Sequence, residues 1–243
     1  MKLRGVLAGL LVLFIFILGC AQQRCPHCRR SYNVKKVPSN SITVDGKLND
    51  HGWCDAKTDT HFVFPWEPQR KVPLTVFHAV HDGQRLYLSW RAVDEEIVLA
   101  AESDTDEKGI IGEDRCEIYF TPEFNLSREY YSFEINLYGK VLDYAISYHR
   151  NFNMDWKYAQ IVAAGAKTAD GYIVEASLPL AFFEEYHLWD PIEHNMVKAG
   201  LFRSQFNLKS DGSIEEHWLS WLDPKRTEID FHMPGTFGCF YFE

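Results

Sequence analysis

Two sets of residues in this chain have types and spacings suited to chemistry. The first is Cys25-Pro26-His27-Cys28, the frame of a dithiol–disulfide couple. Redox work by that motif needs a helix N-terminus following a strand, where the dipole lowers the thiol pKa. Here it is followed by Arg29-Arg30-Ser31 and preceded by no strand, so a structural disulfide is expected. Cys25 to Cys28, or a bond from either to Cys54 or another core cysteine, would satisfy it. A zinc site would need two further ligands, and no second C-x-x-C exists. Arg29 stands where a c-type haem site requires histidine. The second set is Arg91, Glu117, Glu134 and Arg203, which share the outward phase of alternating segments and predict a charged cluster. Two carboxylates across a cleft can hydrolyse a glycosidic bond, and carboxylates beside aromatics can hold polyols by hydrogen bonding. Trp66 and Trp156 lie in polar segments and could serve as flat platforms; Trp53, Trp90, Trp218 and Trp221 read as core. No G-x-S-x-G, H-E-x-x-H, G-x-G-x-x-G or P-loop occurs, so no catalytic motif is found. His78 and His81 are three apart on a strand and point to opposite faces, which argues against a shared metal.

The elements that must position these groups are short and β-rich. Runs of β-branched and aromatic residues recur between Gly-containing turns: 42–44, 74–79, 86–93, 116–121, 130–137, 141–147, 156–163, 172–178, 199–207, 217–221 and 236–242. The first pair of long runs is joined by His81-Asp82-Gly83, a hairpin signal. Alternation is clear, with Cys116, Ile118 and Phe120 opposing Glu117 and Tyr119, and Phe133, Ile135 and Leu137 opposing Ser132, Glu134 and Asn136. Many such strands and few amphipathic helices predict an all-β, antiparallel β-sandwich.

Ahead of it, Lys2 and Arg4 lead an apolar run that ends in Ile17-Leu18-Gly19-Cys20. This is the pattern of a signal peptide, too short for a membrane span of about 20 residues. Its end resembles the bacterial lipobox, which implies cleavage before Cys20 and a lipid on that thiol. The chain then divides into a lipoprotein signal peptide (1–19), a tether carrying the C-x-x-C (20–37) and one sandwich (38–243). A net charge of −9 argues against nucleic acid as a partner.

The strand motifs add a family. Ile42-Thr43-Val44-Asp45-Gly46-Lys47-Leu48 through Trp53, Arg85 to Trp90 with Asp94, Glu113 to Phe120, Tyr131 to Asn136, Gly171 to Pro179, Ser220-Trp221 and Phe231 to Gly238 follow in order. Together they resemble the family 9 carbohydrate-binding modules and their DOMON-like relatives over about 40–243. The resemblance implies a sandwich that grips a glycan between aromatic rings, with polar groups at its rim. Glu117 falls on the family's glutamate, Phe231 on its second tryptophan, Ile111 on its first and Glu134 on its arginine, while Arg203, Ser204 and Gln205 surround its glutamine. The implied ligand-binding set is Glu117, Glu134, Asn136, Arg91, Arg203, Gln205, Phe231, Trp66 and Trp156, with no catalytic residue and no metal ligand. The expected protein captures glycans at the bacterial cell envelope from a lipid anchor, on either the periplasmic or the outer-membrane face. It would support polysaccharide breakdown, any hydrolysis belonging to partner glycoside hydrolases. Structural calcium is implied by relatives, although the acidic stretch 102–106 reads as a solvated loop. The alternatives are a DOMON-like electron carrier holding haem b through residues such as His149, Met154, Met196, His232 or Met233, and an envelope assembly lipoprotein.

Overall fold

Alternating apolar residues need two layers to hide one face of every strand, and the chain forms them. The structure, a computed structural model, describes Cys25, residues 27–100 and residues 107–243. The signal peptide, Cys20 and the acidic stretch 102–106 lie outside the described residues. Among the described residues, twelve strands and one short α-helix follow one another, with 3-10 turns at His51–Asp55 and Glu107–Gly112: β1 (Ser31–Lys36), β2 (Thr75–His81), β3 (Arg85–Val93), β4 (Arg115–Thr121), β5 (Tyr130–Asn136), β6 (Val141–Ser147) and β7 (Asn151–Asn153) come first. Then come β8 (Val162–Thr168), β9 (Gly171–Pro179), α1 (Ala181–Glu185), β10 (Met196–Leu208), β11 (Ile214–Ser220) and β12 (Gly238–Phe242). One layer runs β7-β6-β5-β4-β10-β12, with β11 as a hairpin on β10; the other runs β2-β3-β9-β8. Between them pack Phe77, Trp90, Phe120, Phe133, Trp221 and Phe240.

The strand that joins the layers is β1. Ser31–Val34 pair in parallel with Cys239–Phe242, and Lys35 and Lys36 then pair in parallel with Val80 and His81. The expectation that 20–37 is all tether is therefore corrected over residues 31–36. Tyr32 and Val34 are fully buried in the common core, but only two apolar residues among Arg, Lys and Asn made the strand inconspicuous. Arg29 and Cys28 fasten it further. Arg29 donates to the carbonyls of Gly235 and Asp223, at 2.9 and 2.8 Å. Cys28 is disulfide-bonded to Cys239, while Cys25, Cys54 and Cys116 are free thiols. The Cys25–Cys28 alternative is thus not the bond formed: Cys239 stands beside Cys28 because β1 and β12 are neighbours.

Two expected strands are also redrawn. Residues 42–44 are loop, with Ile42 packed on Trp53, Val80 and Tyr87. Of the run 156–163 only Val162 and Ala163 are strand: residues 156–161 are loop and turn, where Tyr158 donates its N–H to Asp143 Oδ2 at 2.6 Å, and pairing begins at Val162. The loop around 42–53 explains why its motif and the later Val174-Glu175 occur together. Glu175 Oε2 accepts N–H bonds from Asp45, Gly46 and Lys47 at 3.0, 2.8 and 3.2 Å, and its Oε1 accepts from Trp53 Nε1 at 2.9 Å. Gly46 has φ +81°, and a Cβ there would meet the Gly165 carbonyl carbon at 2.8 Å, so both the turn and the close approach require glycine.

Candidate functional site

Strand alternation and register bring one set of polar residues to the outer face of the first layer. Glu117 lies opposite Glu134 on β5 and Phe202 on β10, and Arg115 lies opposite Asn136 and Ser204. The intervening Cys116, Ile118 and Phe120 face the common core. The outer face is not open sheet surface, since β4 and β5 are buried along their whole length. The segments carrying Trp66, Ile111, Arg150 to Met154 and Ile229 to His232 rise around it and leave a cleft of about 440 Å³.

The floor of the cleft is a network of two carboxylates around one cation. Arg115 Nε contacts Glu134 Oε2 at 2.5 Å and Glu117 Oε1 at 3.1 Å. Glu117 also accepts from Ser204 Oγ at 2.6 Å and from the Tyr119 hydroxyl at 2.7 Å; Glu134 accepts from the Tyr144 hydroxyl. Arg115 Nη1 is spent on carbonyls, at 2.8 Å to Ile111 and 3.1 Å to Glu113. Burial, reinforced by the charge of Glu134, pushes the Glu117 carboxyl up to about 7, against the pull of Arg115 and the two hydroxyls. Burial and the two carboxylates likewise hold the Tyr119 and Tyr144 hydroxyls protonated, well above the usual phenol range.

The walls are aromatic. Phe231 stacks on Phe202 at 4.2 Å between centroids, with Trp66 and Trp218 against it at 5.7 and 5.5 Å. Phe231 is itself buried, so the half-exposed rings of Trp66 and Trp218 meet the cleft and Phe231 backs them. Trp66 Nε1 is buried and has no hydrogen-bond partner in the protein. On the opposite side Phe152 packs edge-on against Tyr144, with the Arg150 guanidinium over its outer face at 5.3 Å. Arg150 is paired with Asp230 at 2.7 Å. Ile111 and Ile229 form an exposed apolar rim.

Of the residues expected from sequence, Glu117, Glu134, Phe231 and Trp66 converge here. The others do not. Arg203 is one residue out of phase with Glu117's partner Phe202, so it enters the sandwich core and binds Asp94 Oδ2 at 2.7 Å and Thr75 Oγ1 at 3.0 Å. Gln205 shares the phase of Arg203 and does not line the cleft. Arg91 is on the other layer, paired with Asp170 at 2.7 Å. Asn136 has the right phase but binds Glu113 Oε2 at 2.6 Å and accepts two backbone N–H bonds of its own turn. Trp156 is half-buried, packs against the core on Tyr131 with centroids 4.9 Å apart, and does not line the cleft. Reasoning from sequence missed Arg115, Tyr119, Tyr144, Phe152 and Arg150, and it read Trp218 as core. Arg115 and Tyr119 were readable as the i±2 neighbours of Glu117; the three-residue strand that carries Phe152 is too short to give such a signal.

His232 and Met154 also line the cleft. Rings of Tyr119, Tyr130, Tyr144 and Phe152 crowd His232 at 5.0 to 6.2 Å. Its Nδ1 lies 3.3 Å from the Tyr130 hydroxyl, a setting that suits a packed histidine rather than an axial ligand. Burial pushes it down to about 3, which keeps it neutral. Met196 sits instead in a separate cluster with Cys239 and Tyr241. Among the described residues no group of three His, Cys, Asp or Glu is arranged to hold a metal ion.

Comparison with known proteins follows this geometry. The family model described as carbohydrate family 9 binding domain-like matches residues 44–243. A proposed carbohydrate-binding protein from Bacteroides uniformis superposes with a TM-score of 0.62 at 19% identity, over 88% of this chain and 99% of the other. A family 9 carbohydrate-binding module from Caldicellulosiruptor kristjanssonii gives 0.52 at 16% identity in its glucose complex, over 88% and 96% of the two chains. Its cellotriose complex gives 0.53 at 17%, over 88% and 94%. These likenesses establish the fold. No curated protein matches the chain significantly.

Proposed function

This chain belongs to the carbohydrate family 9 binding domain-like family, and on that premise we propose that it is a non-catalytic protein whose outer-face cleft binds a glycan. The observation that carries the reading is the convergence of Trp66, Trp218 and Phe231 with Glu117 and Glu134 around one cavity of about 440 Å³. A pyranose has apolar C–H faces and a rim of hydroxyls, so it suits flat aromatic walls over a hydrogen-bonding floor. The family 9 structures that hold glucose and cellotriose support the same ligand class.

The floor favours binding over hydrolysis. Glu117 and Glu134 share one guanidinium and are both almost wholly buried, whereas a glycosidase needs its two carboxyls free to reach opposite sides of the scissile bond. Affinity electrophoresis in gels containing different polysaccharides tests the reading. Wild type should be retarded by at least one glycan, and Glu117→Ala and Trp66→Ala should migrate freely with their circular dichroism unchanged. Retardation by none, with the fold intact, overturns it.

The reading extends to an envelope lipoprotein anchored through Cys20, delivering glycans to hydrolases of the same envelope. Incorporation of labelled palmitate by wild type, and its loss in Cys20→Ser, is the expected result in the producing cells; equal labelling of both removes the anchor.

A further inference from the structure

The cleft lining is unbalanced in charge and in hydrogen-bonding capacity. Four carboxylates (Glu117, Glu134, Glu216, Asp230) face two guanidinium groups (Arg115, Arg150). Each guanidinium already has a carboxylate counter-charge: Arg115 pairs with Glu117 and Glu134 through Nε, and Arg150 with Asp230 through Nη1. His232 adds no positive charge, being held neutral. The hydroxyl protons of Ser204, Tyr119 and Tyr144 all go to the two floor carboxylates. Those carboxylates have about eight lone-pair sites and accept four hydrogen bonds from the described protein groups, which leaves roughly four acceptor sites without a protein donor. Trp66 Nε1, a buried donor with no hydrogen-bond partner in the protein, sits in the wall.

Resting on the glycan reading above, we infer that the cleft selects by charge: it takes neutral, hydroxyl-rich sugars and rejects uronic acids and sulfated sugars, with Glu117 and Glu134 as the specificity-determining pair. A neutral pyranose donates its hydroxyl protons to the spare carboxylate sites through charge-assisted bonds. A sugar carboxylate or sulfate brings only acceptors and a like charge into a buried site where screening is weak. Arg115 cannot turn to it without abandoning two buried carboxylates, which is itself costly, and the charge of Arg150 is already balanced by Asp230.

The test uses an immobilised array of matched pairs on several backbones, such as cello-oligosaccharides with their C6-oxidised forms and methyl-esterified with free oligogalacturonates. Binding of the full chain without its signal segment is read at pH 8, where Glu117 is ionised. The neutral member of a bound pair should bind at least about tenfold more tightly, a difference of about 1.4 kcal/mol. In Glu134→Gln and in Glu117→Gln the ratio should shrink severalfold. Equal or tighter binding of the carboxylated member in wild type overturns the inference while leaving the glycan reading intact. Unchanged ratios in both folded variants overturn the assignment to this pair. Binding of neither member of any pair overturns the glycan reading and this inference with it.

Discussion

Glu117 and Glu134 are direct register partners on β4 and β5, and the two buried carboxylates share the single Nε of Arg115, at 3.1 and 2.5 Å. Like charges opposite one another on a sheet face repel. Their survival in the interior depends on that guanidinium and on the hydroxyls of Ser204, Tyr119 and Tyr144. Stability is therefore coupled to protonation at this point.

Glu117 should make the fold less stable as pH rises. Its carboxyl goes from 4.5 to about 7 on folding, so between those values the folded state binds more protons than the unfolded chain. The contribution is full below 4.5, declines across the window and levels off above about 7. At 1.36 kcal/mol per unit the total is about 3 kcal/mol. Urea denaturation of wild type and Glu117→Gln across pH 5 to 8 measures it, the wild-type advantage shrinking with pH. A constant difference would falsify the linkage.

Removing the shared cation should be more damaging than removing either acid. Arg115→Met leaves two buried carboxylates facing each other, at a cost of about 3–5 kcal/mol near neutral pH. The loss should be smaller at pH 5, where Glu117 takes up a proton. A defect of the same size at both pH values would mean that Arg115 acts through packing on Phe206 and Trp218 alone.

The cysteines give a chemical readout of the topology. A non-reducing peptide map of the oxidised protein should contain one cross-link, Cys28 to Cys239. Cys54 is exposed and Cys116 fully buried, so an alkylating reagent should label Cys54 rapidly and Cys116 only after unfolding. Cys239→Ser should lower stability by about 2–5 kcal/mol. Recovery of a Cys25–Cys28 peptide as the main product would contradict the pairing of β1 with β12.

Two tryptophans that look alike in sequence should separate in experiment. Trp156 packs on Tyr131, Phe133 and Phe182, so Trp156→Ala should cost about 2–3 kcal/mol and leave glycan retention intact in the folded fraction. Trp66→Ala should change stability by under about 1 kcal/mol and abolish retention. The reverse pattern would move the binding face to the other side of the sheet.

Much of the fold was legible because burial of alternate residues imposes a period of two. The runs at 74–79, 86–93, 116–121, 130–137, 141–147 and 172–178 are strands close to the expected limits. Motif residues far apart in the chain proved to be partners, as with Asp45-Gly46 and Glu175, or Asp94 and Arg203. β1 escaped notice since two buried residues carry too little hydrophobic signal among charges.

The site was half legible, and phase explains the division. By itself the sequence determined that Glu117 and Glu134 face away from the core, since alternation with Cys116, Ile118, Phe133 and Ile135 leaves them no other direction. It also determined the sandwich class and the family. Only the tertiary structure decided which outward residues meet. Register between β4 and β10 aligns Glu117 with Phe202 and so turns Arg203 inward, a one-residue difference that no single strand can reveal. Loop packing then placed Trp66, Arg150 and Phe231 around the cleft, and the short edge strand β7 brought Phe152 to it. Those positions depend on long-range contacts, for which local periodicity has no counterpart.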